Sequence, residues 1–409
     1  MTAQFESTSP SPGRRPLDGI RVLELGQILA GPFASTILGY FGAEVIKVED
    51  PQGGDPIRGW REMDGDTSLW WHSLARNKKS VTLDLRTEDG RRLARRLALD
   101  SDVLVENFRP GTLERWGLDP ETLRQENPRL IGARISGYGQ TGPYASRPGF
   151  ASVCEGFGGL RHVNGKPGER PIRANLSLGD SLAGIHACLG VLLALLDRQR
   201  GGVGQDVDLG LFEGVFNLLE AVVPEYDRNA VVRGPSGSTI TGIVPTNTYL
   251  CRDGRYVVLG GNGDSIYKRL MRTAGRPDLA DDARMASNEG RVRHQEEIDQ
   301  ALADWCAGLD ADDVLAQLTE AAVPAGPIYS VADMVEDPQY QARGLFEEHP
   351  VGGRPLKIPA LAPRLTATPG RTDWTGPALG EHNDEILRGR LGLDDETMAR
   401  LAADGVIRP

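Results

Sequence analysis

Apolar residues alternate with polar ones from Ile20 to Leu25, continue as an apolar helical run from Gln27 to Phe41, and form a second strand from Glu44 to Glu49. Strand, helix and strand of these lengths predict a βαβ unit with a right-handed crossover into a parallel sheet. The pattern repeats with a strand at Ser80–Leu85, a helix at Asp89–Leu99, a strand at Val103–Glu106, two helical pieces within Leu113–Glu126 and a strand at Leu130–Ile135. Such alternation predicts a doubly wound, Rossmann-like α/β domain. From Tyr138 to Gly179 glycine, proline and serine interrupt every apolar run, which predicts a long functional loop. A helix at Ser181–Arg200, a strand at Gln205–Gly210 and a helix at Phe212–Tyr226 follow. The apolar run Ala183–Leu196 is too short to span a bilayer and reads as a buried helix.

After a glycine- and proline-rich linker at Asn229–Thr241 the texture changes. Residues Asn247–Cys251 and Arg255–Gly260 flank an Asp253-Gly254 turn, the signature of a β-hairpin. Helices then run to about Thr319, and an amphipathic helix is expected near Asp384–Leu391. The expected division is a large α/β domain in 1–225, a smaller α+β inserted domain in 226–330, and a return to the large domain in 331–409.

A chain of 409 residues suits two domains. Its net charge of −11 makes it a poor partner for a nucleic-acid backbone, although a local basic pocket can still hold an anionic ligand. Cys154, Cys188, Cys251 and Cys306 are too scattered for a zinc or CxxC site, so no metal and a reducing, cytoplasmic setting are expected, with no membrane partner. The first βα turn, Gly26 to Gly31, has Ile28 where a dinucleotide fingerprint needs its second glycine, which argues against NAD or FAD.

Asp180 stands just before an apolar helix, where backbone N–H groups favour an ionised carboxylate. An oriented carboxylate can attack an acyl carbon; taken alone, such a residue is more often a simple cap. Context changes that balance. Pro16–Glu24 with Ala30-Gly31-Pro32, Gly42–Glu49, Asn77–Ser80, Val105–Gly111, Ser136–Tyr144, Leu178–Asp180, Gly204-Gln205, Val323-Pro324, Gly326-Pro327 and Leu379–His382 together resemble the family III CoA-transferases in order and spacing. The resemblance runs from about residue 16 to 408. Its texture is nearest the succinyl-CoA-dependent members that act on dicarboxylic acids.

The resemblance implies that Asp180 is the nucleophile, passing CoA from an acyl-CoA donor to a carboxylate acceptor through anhydride and aspartyl-CoA intermediates, with CoA as substrate and no tightly bound cofactor. It places CoA contacts at Leu29, Ala30, Leu83, Arg86, Asn107, Phe108, Arg109 and Arg115, with Lys78 and Lys79 as weaker candidates. Where the family often has an arginine after the second strand, this chain has Asp50. Phe150 would stand beside the reacting groups, and the turn Gly260, Gly261, Asn262 and Gly263 would act as a lid. Arg58 or Arg173 could hold a second carboxylate. The family fold implies an interlocked homodimer. A related racemase uses a histidine where Phe150 stands; Phe takes no proton, so an acyl-CoA racemase is the weaker alternative. A non-catalytic CoA-binding protein is the other.

Overall fold

A parallel sheet covered on both faces buries its strands along their length, and the large unit of this chain has such a sheet, although several of its buried strand positions are charged or polar. The structure is a computed structural model and describes residues 13–409. It contains β1 (Arg21–Glu24), α1 (Ala30–Tyr40), β2 (Glu44–Glu49), β3 (Lys78–Thr82), α2 (Glu88–Leu99), β4 (Val103–Glu106), β5 (Ile131–Ser136), α3 (Ala151–Phe157), α4 (Leu178–Gln199), β6 (Asp206–Gly210) and α5 (Leu211–Phe216). All six strands are parallel, in the order β3-β2-β1-β4-β5-β6. The order reverses direction at β1, so a crevice opens between the carboxyl ends of β1 and β4, where doubly wound sheets bind ligands. The predicted parallel α/β architecture is the observed one.

Alternate residues of each strand feed two cores. Val22, Val45, Val105 and Ile135 pack with α1 and α4. Leu23, Ile46, Val81 and Leu104 pack with α2 and with Ile386, Leu387, Met398 and Leu401 from the end of the chain. The chain separates into two compact units. One comprises residues 13–160, 174–220 and 341–409; the other comprises 161–173 and 221–340. The second has its own core around an antiparallel sheet in the order Ala325–Pro327, Tyr256–Gly260, Thr246–Leu250, with helices Asp264–Thr273, Gln295–Ala307 and Ala311–Glu320.

Several elements differ from the sequence reading. The region 138–179 is not all loop: α3 and a short helix at Leu160–Val163 lie in it, their apolar pattern broken by Gly156, Gly158 and Gly159. The predicted helix at Phe212–Tyr226 is two, α5 and Val222–Asn229. Near the end, a hairpin of Phe346–Val351 and Arg354–Pro359 went unpredicted because Pro350, Pro355 and Pro359 obscure it. Helix α4 begins at Leu178 and has 22 residues, long and apolar enough by length and composition to cross a membrane. It is not a wholly buried helix either. Ala183, Ala187, Val191 and Leu195 are buried against the sheet, while Ile185, Leu189, Leu193 and Leu196 are each more than two-fifths exposed on the other face.

Candidate active site

Asp180 is the third residue of α4 and is partly buried. The first turn of α4 presses on α3: a Cβ on Gly179 would lie 3.2 Å from the Ala151 side chain, and the Gly179 N–H donates to Glu155 Oε1 at 3.4 Å. Burial, reinforced by the charge of Asp180, pushes the Cys154 thiol on α3 up to about 11. Phe150 caps α3 and is 70% exposed. One turn beyond Asp180, a Cβ on Gly184 would lie 3.0 Å from the Ala30 carbonyl oxygen and 3.0 Å from the Phe33 ring. Residues four apart share a helix face, so Asp180 lies on the side of α4 that meets the start of α1.

The turn into α1 is held from beneath by buried charge. Glu24 and Lys47 are direct neighbours across β1 and β2. Lys47 Nζ binds Glu24 Oε1 at 2.7 Å and Asp55 Oδ2 at 2.8 Å, and donates to the Gly26 carbonyl at 2.9 Å. Lys78 Nζ binds Glu24 Oε2 at 2.8 Å and donates to the Pro32 carbonyl at 2.7 Å. Burial opposes every charge here. For Lys47 the carboxylates of Asp55 and Glu24 outweigh it and hold the ammonium well above its usual range. For Lys78 burial prevails and brings the group down to about 8. For Glu24 the two ammonium groups outweigh burial and hold the carboxyl below its usual range. Asn107 adds a reciprocal pair: Gln27 N–H donates to its Oδ1 and its Nδ2 donates to the Gln27 carbonyl, both at 2.8 Å.

Over the carboxyl ends of β1, β2 and β3 lies a pocket of about 240 Å³, bordered by Leu25, Gln27, Val48, Leu83, Arg86 and Phe108. Phe108 stacks edge-on to Trp116 at 5.2 Å between centroids, and its N–H donates to Glu106 Oε2 at 2.8 Å. The crevice at the sheet's switch point thus brings Leu83, Arg86 and Phe108 together, with Asn107 tied to its rim.

Residues 17–383 match the family model described as CoA-transferase family III. The chain belongs to that family. It is 48% identical, over 96% of its length and 98% of the relative's, to a succinyl-CoA–D-citramalate CoA-transferase of Chloroflexus aurantiacus. It is 36% identical, over 92% of its length and 96% of the relative's, to a succinate–glutarate CoA-transferase of Agrobacterium fabrum. A CAIB/BAIF family protein from Brucella suis superposes with a TM-score of 0.81 at 35% identity, covering 92% of this chain and 99% of that one. The protein is therefore an enzyme of the CoA-transferase class.

Other sequence-predicted residues of this CoA-transferase fall into place unevenly. Leu29 caps α1 and Ala30 opens it, both buried. Arg86 is exposed beside the pocket and pairs with Asp84 at 2.7 Å and with Asp50 at 3.0 Å, so the unusual Asp50 holds a predicted phosphate ligand. Arg109 and Arg115 are exposed on the segment after β4, with Arg115 Nη2 donating to Thr112 Oγ1 at 3.0 Å. Lys78 cannot meet a phosphate, because it is 1% exposed and bound to Glu24. Lys79 is committed to Glu44 at 2.8 Å and Glu385 at 2.6 Å. Arg58 is likewise taken, with Nε and Nη2 on Glu49 at 2.7 and 2.8 Å and the guanidinium stacked on Trp71. A second carboxylate has no access to such a pair.

In the second unit, Gly260, Gly261, Asn262 and Gly263 form a well-anchored turn. Gly260 N–H donates to Pro324 O, Gly261 N–H donates to Pro245 O, and Asn262 O accepts from the buried Arg291 at 2.7 Å. Sequence reasoning missed Asp55, Lys47 and Glu24 altogether. The available signal was opposite charges at Glu24 and Lys47, each directly following apolar residues of a strand.

Proposed function

We propose that this enzyme carries CoA from succinyl-CoA to a small dicarboxylic acid, with Asp180 as the nucleophile. The observation that carries the substrate class is the 48% identity, over almost the whole of both chains, to a succinyl-CoA–D-citramalate CoA-transferase. A carboxylate oxygen of Asp180 attacks the thioester carbonyl; the C–S bond breaks, giving a succinyl-aspartyl anhydride and CoA thiolate. The thiolate then attacks the aspartyl carbonyl, releasing succinate and leaving an aspartyl-CoA thioester. The acceptor carboxylate attacks this thioester, forming a second anhydride and freeing the thiolate again. Attack of the thiolate on the acceptor's acyl carbon yields the new thioester and restores Asp180. Each step exchanges acyl groups of similar energy, so the sequence needs no external energy.

Burial favours this chemistry, because anhydrides hydrolyse where water is plentiful. Asp180 is partly buried against α3 and sits at a helix start, where the first-turn N–H groups favour negative charge. The pocket with Leu83, Arg86 and Phe108 suits the nucleotide end of CoA, with Arg86, Arg109 and Arg115 as partners for its phosphates. A covering role for Gly260–Gly263 rests on the resemblance alone. We assign the active form as a homodimer, because the outer face of α4 presents Ile185, Leu189, Leu193 and Leu196 as one apolar stripe.

Incubation with succinyl-CoA followed by mass spectrometry of the peptide containing Asp180 tests the mechanism. A mass gain of CoA or succinyl on Asp180 is expected, with activity lost in Asp180→Ala. An unmodified Asp180 during turnover, or an alanine variant of normal rate, sinks the reading. D-Citramalate, L-malate and glutarate offered as acceptors, with acetate as a monocarboxylate control, test the substrate class.

A further inference from the structure

Ile28 has φ 67°, a left-handed conformation that a β-branched residue enters only when its surroundings impose it. It occupies the place where a dinucleotide-binding turn uses glycine for close backbone approach to its ligand. Here the conformation is imposed by Asp55. Both carboxylate oxygens of Asp55 lie 3.1 Å from the Ile28 nitrogen and accept its N–H. The same carboxylate accepts the Ile57 N–H at 3.0 Å and is fixed by Lys47 Nζ at 2.8 Å, and Asp55 is 2% exposed. Lys47 also holds the Gly26 carbonyl, while Asn107 holds both backbone groups of Gln27. Three successive residues of one turn are thus gripped by side chains from three other segments. The turn delivers the chain to Ala30, whose carbonyl packs on α4 one turn from Asp180.

We propose that Asp55 is a positioning residue for CoA transfer: by holding Ile28 in the left-handed conformation it fixes the backbone at Leu29 and Ala30 as one wall of the CoA thioester site. This rests on the reading of Leu29, Ala30 and Asp180 given above. A merely structural Asp55 would affect stability without favouring one kinetic constant over another. A positioning Asp55 affects ligand affinity first.

The test uses the full-length enzyme, with free CoA as the calorimetric probe, alongside KM and kcat for succinyl-CoA and the thermal midpoint. In Asp55→Asn the Kd for CoA and the KM for succinyl-CoA are expected to rise about tenfold while kcat falls by less than about threefold. Should that variant misfold from leaving Lys47 unpaired, Lys47→Met/Asp55→Asn removes both charges, Glu24 keeping its pair with Lys78, and the same loss of affinity is expected. In an Ile28→Gly background the effect of Asp55→Asn should shrink, because glycine takes a positive φ without steric cost. Wild-type CoA affinity in the folded variants, or effects of Asp55→Asn and Ile28→Gly that simply multiply, overturns the proposal. Because the readout is CoA binding, an unmodified Asp180 overturns the mechanism separately; a normal adduct with unmoved CoA affinity overturns only the role of Asp55.

Discussion

Glu106 ends β4 with 2% of its surface exposed, and its carboxylate accepts the Phe108 N–H and meets Arg134 Nε at 3.1 Å. Burial outweighs both partners and pushes the group from 4.5 up to about 7. The folded state therefore keeps a proton that the unfolded chain releases. The resulting stability is fully present below about 4.5 and is lost as pH rises through about 7, a change on the order of 3 kcal/mol. Denaturant unfolding at pH 5 and pH 8 should show a steeper loss of stability in the wild type than in Glu106→Gln; parallel profiles would remove Glu106 as the source. The carboxylates of this chain differ in how readily sequence shows their setting. The place of Asp180 at a helix start was legible because a long apolar run follows it. Glu106 and Asp55 were not, since a charged residue ending a strand or opening a turn looks solvated until the sheet closes over it. Lys78 shows the same failure in reverse, a lysine read as a phosphate ligand that serves as a buried counter-ion.

Among the elements, α4 carries two tasks on two faces. Its inner face has small residues where backbones must approach, most sharply at Gly184 against Ala30. Val at position 184 would force α4 away from α1, costing about 1–3 kcal/mol of stability and displacing Asp180, so unfolding midpoint and turnover should fall together. The outer face tests the assembly. Leu193, 59% exposed, contributes little to the fold of one chain, and Leu193→Glu should change monomer stability by no more than about 0.5 kcal/mol. Light scattering should then report a dimer for the wild type and a folded monomer for the variant; the same mass for both would overturn this face as the interface. The helix itself was legible from its apolar run, but its start was placed three residues late, because the polar residues Asp180 and Ser181 separate Leu178 and Gly179 from that run. Strands β1, β2, β4 and β5 were plain from short β-branched and leucine-bearing runs alternating with predicted helices. The proline-bearing hairpin at Phe346–Pro359 was not, because proline cannot donate to a ladder and usually argues against a strand.

For the molecule as a whole, the strand order set by β1 places the crevice at the carboxyl ends of the strands, and the last residues of the chain complete the floor beneath it. Asn383 Oδ1 accepts the Thr82 N–H at 2.9 Å, Arg408 N–H donates to Thr82 Oγ1 at 2.9 Å, and Val406 O accepts the Asp84 N–H at 2.8 Å. Leu387, Leu401 and Ile407 share a core with Leu25, Val48 and Leu83, which border the pocket. Removing residues 383–409 should leave that core open to water, and the shortened chain should accumulate as insoluble protein in expression trials. Contacts this distant in sequence are slow to form. Since β3 gains its covering from residues made some three hundred positions later, a growing chain has no finished floor beneath this pocket until residues 383–409 have been made. The closing residues are therefore a checkpoint on folding as well as a part of the architecture.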